Sequence, residues 1–220
     1  MILRISFLLL VFFTSSCALF KGQDLKEKKI EELISALSAE GEGRGRLGLG
    51  SNQYLFSFDA ILKDNFDWLL AANFPLHGEE ILLFENLKNS KSFEAQHAGE
   101  FELRMEEGIK EFLKSQKKSP KVARAFMVEF RNMMRFVLHK KLDLKVICEG
   151  KVCKMGDYVY QVESTSSEFS LTRSLLNDYD LKLTAVNLTG PIFKRMNIHL
   201  LPKTGSSPIK NLLSLELFWN

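Results

Sequence analysis

The sequence predicts a mainly β fold with inserted helices, of the α+β class. Apolar residues alternate with a period of two from Arg44 to Phe84 and again from Leu142 to Trp219, whereas the segment between these stretches has a helical period. Connections in the first half are too short for a crossover helix, so its strands pair as antiparallel hairpins. The chain has 220 residues, of which 45% are hydrophobic, and a net charge of only +3. This composition predicts one folded domain rather than a disordered chain.

The N-terminus has the pattern of an export signal. Arg4 precedes an apolar run that ends at Phe13 and is too short to span a bilayer. The residues Thr14-Ser15-Ser16-Cys17 resemble the lipobox of bacterial lipoproteins, in which the Cys becomes the lipidated first residue of the mature protein. We therefore expect a signal peptide over residues 1–16 and acylation, with palmitate among the chains, at Cys17. An ordinary secretory signal that happens to contain a Cys is the alternative.

The mature chain is predicted to consist of a tether over residues 17–23 and a single domain over 24–220. This domain opens with an amphipathic helix from Asp24 to Ala39, because its apolar residues recur every three or four positions. The Gly-rich stretch from Gly41 to Gly45 is expected to end that helix.

Four strands are predicted in the first half. Their predicted bounds are Arg44–Leu49, Tyr54–Leu62, Phe66–Asn73 and Glu79–Phe84. The second strand places Tyr54, Phe56 and Phe58 on one face, and the third does the same with Phe66, Trp68 and Leu70.

A helical insert is predicted at about residues 100–140. One helix carries apolar residues from Phe101 to Leu113, and a second begins with Ser119 as N-cap and Pro120 in the first turn and runs to about His139. The apolar face of the second helix includes Phe126, Phe130, Met133 and Met134.

Strands resume after this insert. The predicted strands are Leu142–Cys148, Val152–Val162, Phe169–Arg173, Leu181–Leu188, Ile192–Leu201 and Ile209–Trp219. Cys148 and Cys153 flank a hairpin turn, and cross-strand positions suit a disulfide in an exported protein. Two free thiols are the alternative.

The number of strands bears on function. A sheet of about eight strands closes on a core filled by its own side chains, whereas a larger or unclosed sheet leaves space that must be plugged or occupied. The inserted helices would supply the plug, and their Met residues can re-pack against varying partners. The alternative is that these Met and Phe residues are permanent core filler.

Three stretches of the first half carry recognisable motifs, namely Gly45–Leu49, Phe56–Ala60 and Trp68–Leu83. The third contains Asn73, Pro75, Leu76 and Gly78 at the end of a strand. These motifs resemble one family, the LolB outer-membrane lipoproteins, in which a Gly-Arg-containing first strand and an aromatic second strand lead to a strand that ends in Asn-Pro-Leu-Gly. This chain departs from the motif at Phe74 and His77. The order of the later elements is similar too, with weaker motifs in the last hairpins.

The resemblance implies an open antiparallel half-barrel of about ten or eleven strands covered by a helical lid. Its apolar cavity would accept the acyl chains of lipoprotein cargo from a periplasmic LolA-like carrier, and the cargo would then be inserted into the outer membrane. The protein itself would be anchored in outer-membrane lipid and face the periplasm. Ala18 favours this location, because an Asp after the lipidated Cys retains enteric lipoproteins at the inner membrane.

The resemblance also assigns residues. The loop of Phe74, Pro75 and Leu76 would project and serve membrane delivery, unless it folds back over the sheet. The predicted cavity lining combines the strand and helix faces above: Tyr54, Phe56, Phe58, Phe66, Trp68, Leu70, Phe126, Phe130, Met133 and Met134.

Other classes of function find little support in the sequence. The four His residues are scattered, and no nucleophile elbow, phosphate loop or metal-ligand spacing is present, so we expect no enzyme, no cofactor and no metal. The basic residues form no stripe with interleaved aromatics, which argues against nucleic acid. We expect a monomer. The alternatives to a LolB-like receptor are a lipoprotein of the same fold that binds or transports another lipid, and a non-binding structural or assembly lipoprotein of the envelope.

Overall fold

The structure is a computed structural model that describes residues 40–75, 78–84, 86–88, 100–165, 168–175, 179–186, 194–203 and 213–220. Within these ranges the side chains of residues 80–84 and 100–105 are not described. The predicted signal peptide, Cys17, the tether and the predicted helix over 24–39 lie outside the described residues, as do Leu76 and His77.

Eleven strands form one open antiparallel sheet in the order β4-β3-β2-β1-β11-β10-β9-β8-β7-β6-β5. Their bounds are β1 Gly41–Leu49, β2 Asn52–Leu62, β3 Trp68–Phe74, β4 Gly78–Phe84, β5 Ile147–Glu149, β6 Val152–Met155, β7 Tyr158–Ser164, β8 Glu168–Leu175, β9 Tyr179–Val186, β10 Arg195–Pro202 and β11 Leu213–Trp219. The pairing of β1 with β11 joins a four-stranded first half to a seven-stranded second half. The mainly antiparallel β prediction is thus confirmed.

Two helices connect the two edges of this sheet. Helix α1, Glu100–Ser115, and helix α2, Lys121–Val137, follow edge strand β4 and precede edge strand β5. Glu106 on α1 accepts a hydrogen bond from Arg124 on α2 at 3.2 Å, which ties the two helices together. Because the chain leaves the sheet at one edge and returns at the other, the helices must cross from one edge to the other.

The sheet curves around α2. The Trp68 ring on β3 lies 6.4 Å from Phe130, and the Tyr160 ring on β7 lies 5.0 Å from Phe136. The two Phe residues are separated by about 9 Å of helix, whereas β3 and β7 would be about 34 Å apart in a flat sheet. A flat sheet could not bring both strands to one short stretch of helix. This curvature is consistent with the predicted half-barrel.

Glycines in β1 let aromatic rings lie flat across the sheet. Gly43 pairs with Phe58 and Gly45 with Phe56 across the β1–β2 ladder. A Cβ atom on Gly45 would overlap the Phe56 ring. The Gly-rich stretch therefore belongs to strand β1, which begins at Gly41 rather than at the predicted Arg44. The helix that this stretch is predicted to end lies outside the described residues.

Replacing Gly45 with alanine should lower the free energy of unfolding by about 1–3 kcal/mol, because the Phe56 ring must move from its place in the core. Gly108 provides the matched control, since a Cβ atom there would meet nothing within 4 Å. In the interior of helix α1, Gly108→Ala should increase stability by up to about 1 kcal/mol. Urea denaturation of both variants measures the difference. Equal effects of the two substitutions would contradict the close approach at Gly45.

Three predicted element bounds are wrong for reasons of backbone geometry. Phe66 lies in the turn before β3 with a positive φ of 66° rather than in a strand. The predicted strand over 152–162 is two strands, because Gly156 with φ 58° opens a two-residue hairpin loop. The stretch from Leu142 to Val146 is not a strand, since Leu142 N–H and Leu144 N–H donate to the carbonyls of Leu138 and His139, just after helix α2.

The start of α2 also differs from the prediction. Its N-cap residue is Pro120 and has no side-chain cap, so Ser119 is not the cap. The helix begins one residue later than the cap signal indicates. The apolar face and its direction are unaffected by this difference.

Candidate functional site

The inner face of the sheet, which faces α2, is lined by large apolar side chains. On β2 and β3 these are Phe56, Phe58, Trp68 and Leu70, each no more than 5% exposed. On the opposite half, alternate residues of β8 to β11 are buried in the same way. They include Phe169, Leu171, Leu181, Leu183, Met196, Ile198, Leu215 and Leu217.

Helix α2 packs its predicted apolar face against this surface. Phe126, Phe130, Met133 and Met134 are at most 1% exposed. The Phe126 and Phe130 rings lie 6.1 Å apart, and Phe130 in turn meets Trp68 edge-on. Helix and sheet therefore share one continuous core.

The structure brings eight of the ten predicted cavity residues together. The other two are less buried, and of these only Phe66 packs against the core. Tyr54 has the same strand parity as Phe56 but is 42% exposed, at the end of β2 where residues 52–55 are all exposed. Phe66 is half-buried in its turn, with Lys88 Nζ 4.8 Å from its ring centre.

In this structure the eight buried residues pack against one another, so α2 fills the space that the sequence predicts as a cavity. A groove of about 440 Å³ lies elsewhere, at one end of the first half of the sheet. Among the predicted cavity residues, it is lined only by Phe58. Its other lining residues are mainly polar: Glu42, Gly43, Arg44, Ser57, Asp59, Ala71, Asn73, Glu79 and Asn220.

The predicted delivery loop is described only in part. Phe74 ends β3 and is half-buried, with its ring 4.9 Å from that of Phe56, so this residue folds toward the core rather than outward. Pro75 is exposed. Leu76 lies outside the described residues, and its assignment stays a prediction.

Cys148 and Cys153 are directly opposed in the β5–β6 hairpin and form a disulfide. The two-residue loop has Gly150 in the left-handed conformation with φ 61°, as tight hairpin loops require. Cys153 is fully buried. The bond therefore fastens the last strand of the sheet to its neighbour at the edge to which the helical insert returns.

A buried polar cluster between α2 and the sheet, formed by Glu129, Tyr160 and Arg173, was not among the residues predicted from the sequence. The Tyr160 hydroxyl donates to Glu129 Oε1 at 2.8 Å, and Arg173 Nε lies 3.3 Å from Glu129 Oε2. Glu129 is 4% exposed and Tyr160 is fully buried. Helix α2 is thus held to β7 and β8 by a charged contact in addition to its apolar packing.

The ionisation of this cluster is governed by burial. Burial raises the pKa of Glu129, while the charge of Arg173 and the hydrogen bond from Tyr160 act in the opposite direction. Burial and the neighbouring Glu129 carboxylate raise the pKa of Tyr160 far above its ordinary value. Tyr160 therefore acts as a neutral hydrogen-bond donor.

The described residues contain no group of three or more His, Cys, Asp or Glu side chains that could hold a metal ion. No helix within the described ranges is both long enough and apolar enough to cross a bilayer. Comparisons with protein-family models, with curated proteins and with solved structures find no match to this chain.

Proposed function

We infer that this protein is a membrane-tethered, LolB-like lipoprotein that shelters acyl chains between the inner face of its sheet and helix α2. In this proposal the curved sheet is a half-barrel and the two helices are its lid. Acyl chains of lipoprotein cargo, received from a periplasmic LolA-like carrier, take the place of α2 side chains on the inner face. The cargo then passes into the outer membrane.

One observation carries the proposal, namely the apolar inner face covered by an insert that joins the two sheet edges. A hydrocarbon chain needs a surface without unpaired polar groups, and residues such as Phe56, Phe58 and Trp68 provide it. The covering helix contributes Met127, Met133 and Met134, whose flexible side chains adapt to a changed partner. The insert can also move without breaking a strand pair, because it belongs to neither edge strand.

The contact with Glu129 also favours a movable α2. A buried ion pair gains little over apolar packing, because both charges give up their hydration when the helix docks. Arg173 keeps its side chain 28% exposed, so water reaches one side of this contact. Undocking α2 from such an interface therefore costs less free energy than undocking it from a uniformly apolar one.

The tether supports the location that we propose. With acyl chains on Cys17, each buried methylene contributes about 0.8 kcal/mol to membrane binding, so two or more chains hold the protein without a transmembrane helix. The predicted tether over residues 17–23 then separates the folded domain from the membrane. The outer membrane, with the domain facing the periplasm, fits Ala18 after the lipidated Cys.

The filled interior favours a second candidate, a structural or assembly lipoprotein that binds no lipid. Eight predicted cavity residues are buried against one another, as in an ordinary core.

The two candidates differ in what the purified protein retains. Mass spectrometry of the protein isolated from its own membrane should find acyl lipids or lipoprotein fragments at near-stoichiometric amounts. Their absence, together with no binding of added lipid, would favour the structural role.

Leu76→Glu should leave folding intact and slow cargo delivery to vesicles. A leucine side chain buried in lipid contributes about 1.5–3 kcal/mol, which corresponds to a loss of about tenfold or more in rate. The measurement is transfer of a labelled lipoprotein from the carrier to outer-membrane vesicles. Leu55→Glu is the matched control, because Leu55 is 66% exposed on the other face of β2. Equal transfer by both variants would refute the assignment of Leu76.

A further inference from the structure

Arg173 occupies a position on β8 where the strand pattern calls for an apolar residue. Leu171 and Leu175 are buried, and Arg173 lies between them on the same face of the strand. A cation on the inner face of an apolar sheet is costly unless an anion meets it. In this structure that anion is Glu129 of helix α2, at 3.3 Å.

Glu129 satisfies Arg173 incompletely. The ion pair uses Arg173 Nε, whereas the buried Nη1 has no hydrogen-bond partner among the residues that the structure describes. A guanidinium group is better matched by an anion that accepts from two of its nitrogens at once. The inner face thus offers more hydrogen-bond donors than Glu129 accepts from.

The guanidinium is also held in place independently of α2. It stacks over the Tyr158 ring of β7, 4.7 Å from the ring centre, and the Tyr160 ring centre lies at 5.8 Å. The Tyr160 hydroxyl, which donates to Glu129, belongs to β7 as well. If α2 moved away, two sheet-borne donors would remain side by side without their carboxylate.

We propose that Arg173 and the Tyr160 hydroxyl form the head-group site for an anionic amphiphile, with Glu129 as the internal carboxylate that holds this site while α2 is docked. The ligand's carboxylate or phosphate contacts Arg173 at the margin of the interface, where 28% of the side chain is exposed. Its hydrocarbon chain runs inward over the buried Leu171 and its neighbours. This inference rests on the proposed function and names the chemistry of what is bound.

The assignment distinguishes two kinds of cargo. A ligand with an anionic head can replace Glu129 at Arg173 and gain a charge-assisted contact. A neutral acyl chain gains only apolar contact with the inner face. The protein should therefore prefer the anionic ligand when the hydrocarbon chains are equal in length.

The test uses the full chain, expressed for export with Cys17→Ser so that no acyl chain of its own competes. Displacement of the neutral fluorophore N-phenyl-1-naphthylamine at pH 7.5 measures the binding of decanoate, decyl phosphate and decanol. Acetate and inorganic phosphate are the chain-free arms. Circular dichroism shows that each variant is folded.

Decanoate and decyl phosphate should bind about tenfold or more tightly than decanol, as expected for a hydrogen-bonded charge. Glu129→Gln should increase the affinity for decanoate and decyl phosphate several-fold further and leave the affinity for decanol unchanged. The double variant Glu129→Gln/Arg173→Gln, in which both charges become amides, should bind the three ligands equally.

Each other outcome contradicts a stated part of the proposal. Equal binding of decanoate and decanol by the parent chain, or a preference that survives in the double variant, would overturn the head-group site and leave acyl-chain binding in place. Displacement by acetate or inorganic phosphate as strong as that by decanoate would exclude an amphiphile as the ligand. If neither the fluorophore nor any decyl compound bound, the proposed function would fail together with this inference.

Discussion

Phe130→Ala should lower the free energy of unfolding by about 3–5 kcal/mol and at the same time increase the affinity for an apolar chain. Phe130 is fully buried between Trp68 of the sheet and Phe126 of its own helix. Removing its ring leaves an apolar space against the inner face. Such spaces stay dry and accept apolar ligands. If acyl chains bind at this place, part of the room they need is then already open.

The measurement is urea denaturation with and without decanol. A ligand that binds only the folded chain adds stability that increases with its affinity, so decanol should stabilise Phe130→Ala more than the parent. Leu113→Ala is the matched control, because Leu113 is also fully buried but belongs to helix α1 and not to the predicted lining. Leu113→Ala should lower the free energy of unfolding by about 2–5 kcal/mol without increasing the affinity for decanol. The same gain from decanol in both variants would mean that Phe130 does not border the ligand site.

Much of the fold is predictable because each strand has a period of two and each helix a period of 3.6. Phe56 and Phe58 alternate with exposed residues on β2, and the structure buries them as that pattern requires. Strand bounds were less predictable where a single glycine determines that the chain turns. Gly156 turns the chain within a stretch that reads as a single strand.

The pairing of β1 with β11 was not predictable from local pattern. These strands lie at opposite ends of the described chain, and Gly43 and Gly45 of β1 present no side chains that would indicate a partner. The reason for the pairing is a contact in the folded structure, where the Phe58 and Trp219 rings pack together over the glycines with their centres 5.1 Å apart. A register set by such packing cannot be read from one strand alone.

The apolar half of the candidate site was predictable, and its polar half was not. The face of α2 that carries Phe126, Phe130 and Met133 is buried as its spacing indicates. Glu129 adjoins this face, and Arg173 interrupts the apolar alternation of β8, so both are visible in the sequence as charges in apolar surroundings. That these two charges meet each other depends on how α2 lies on the sheet. No sequence spacing gives that relation.

Arg173→Met should lower the free energy of unfolding at neutral pH by about 3–5 kcal/mol, because it leaves Glu129 as a buried carboxylate without its cation. The flexible methionine side chain replaces the stem of the arginine, so the loss of charge is the main change. The Tyr160 hydroxyl still donates to Glu129, but a single neutral donor does not replace the charge. Urea denaturation at pH 7.5 measures the loss.

The size of this loss should depend on pH in a defined direction. Burial raises the pKa of Glu129 above the ordinary value of 4.5, and the charge of Arg173 opposes that rise. Without Arg173 the pKa of Glu129 rises further. Between pH 4.5 and this raised value the folded chain binds more protons than the unfolded chain, so the free energy of unfolding decreases as the pH increases. The deficit of Arg173→Met should therefore be smallest at or below pH 4.5 and grow toward neutral pH.

Glu129→Gln/Arg173→Met isolates the cause, because the glutamine side chain cannot ionise and can still accept the hydrogen bond of Tyr160. The double variant should recover most of the stability lost at pH 7.5, and its difference from Arg173→Met should vanish near pH 4.5. Replacement of a whole buried ion pair by uncharged groups often leaves stability unchanged, whereas removal of one partner does not. A deficit of Arg173→Met that is constant from pH 4.5 to 8 would mean that Arg173 acts by packing on Tyr158 and not by holding the charge of Glu129. In that case no charged contact would hold α2 at the margin where Arg173 lies.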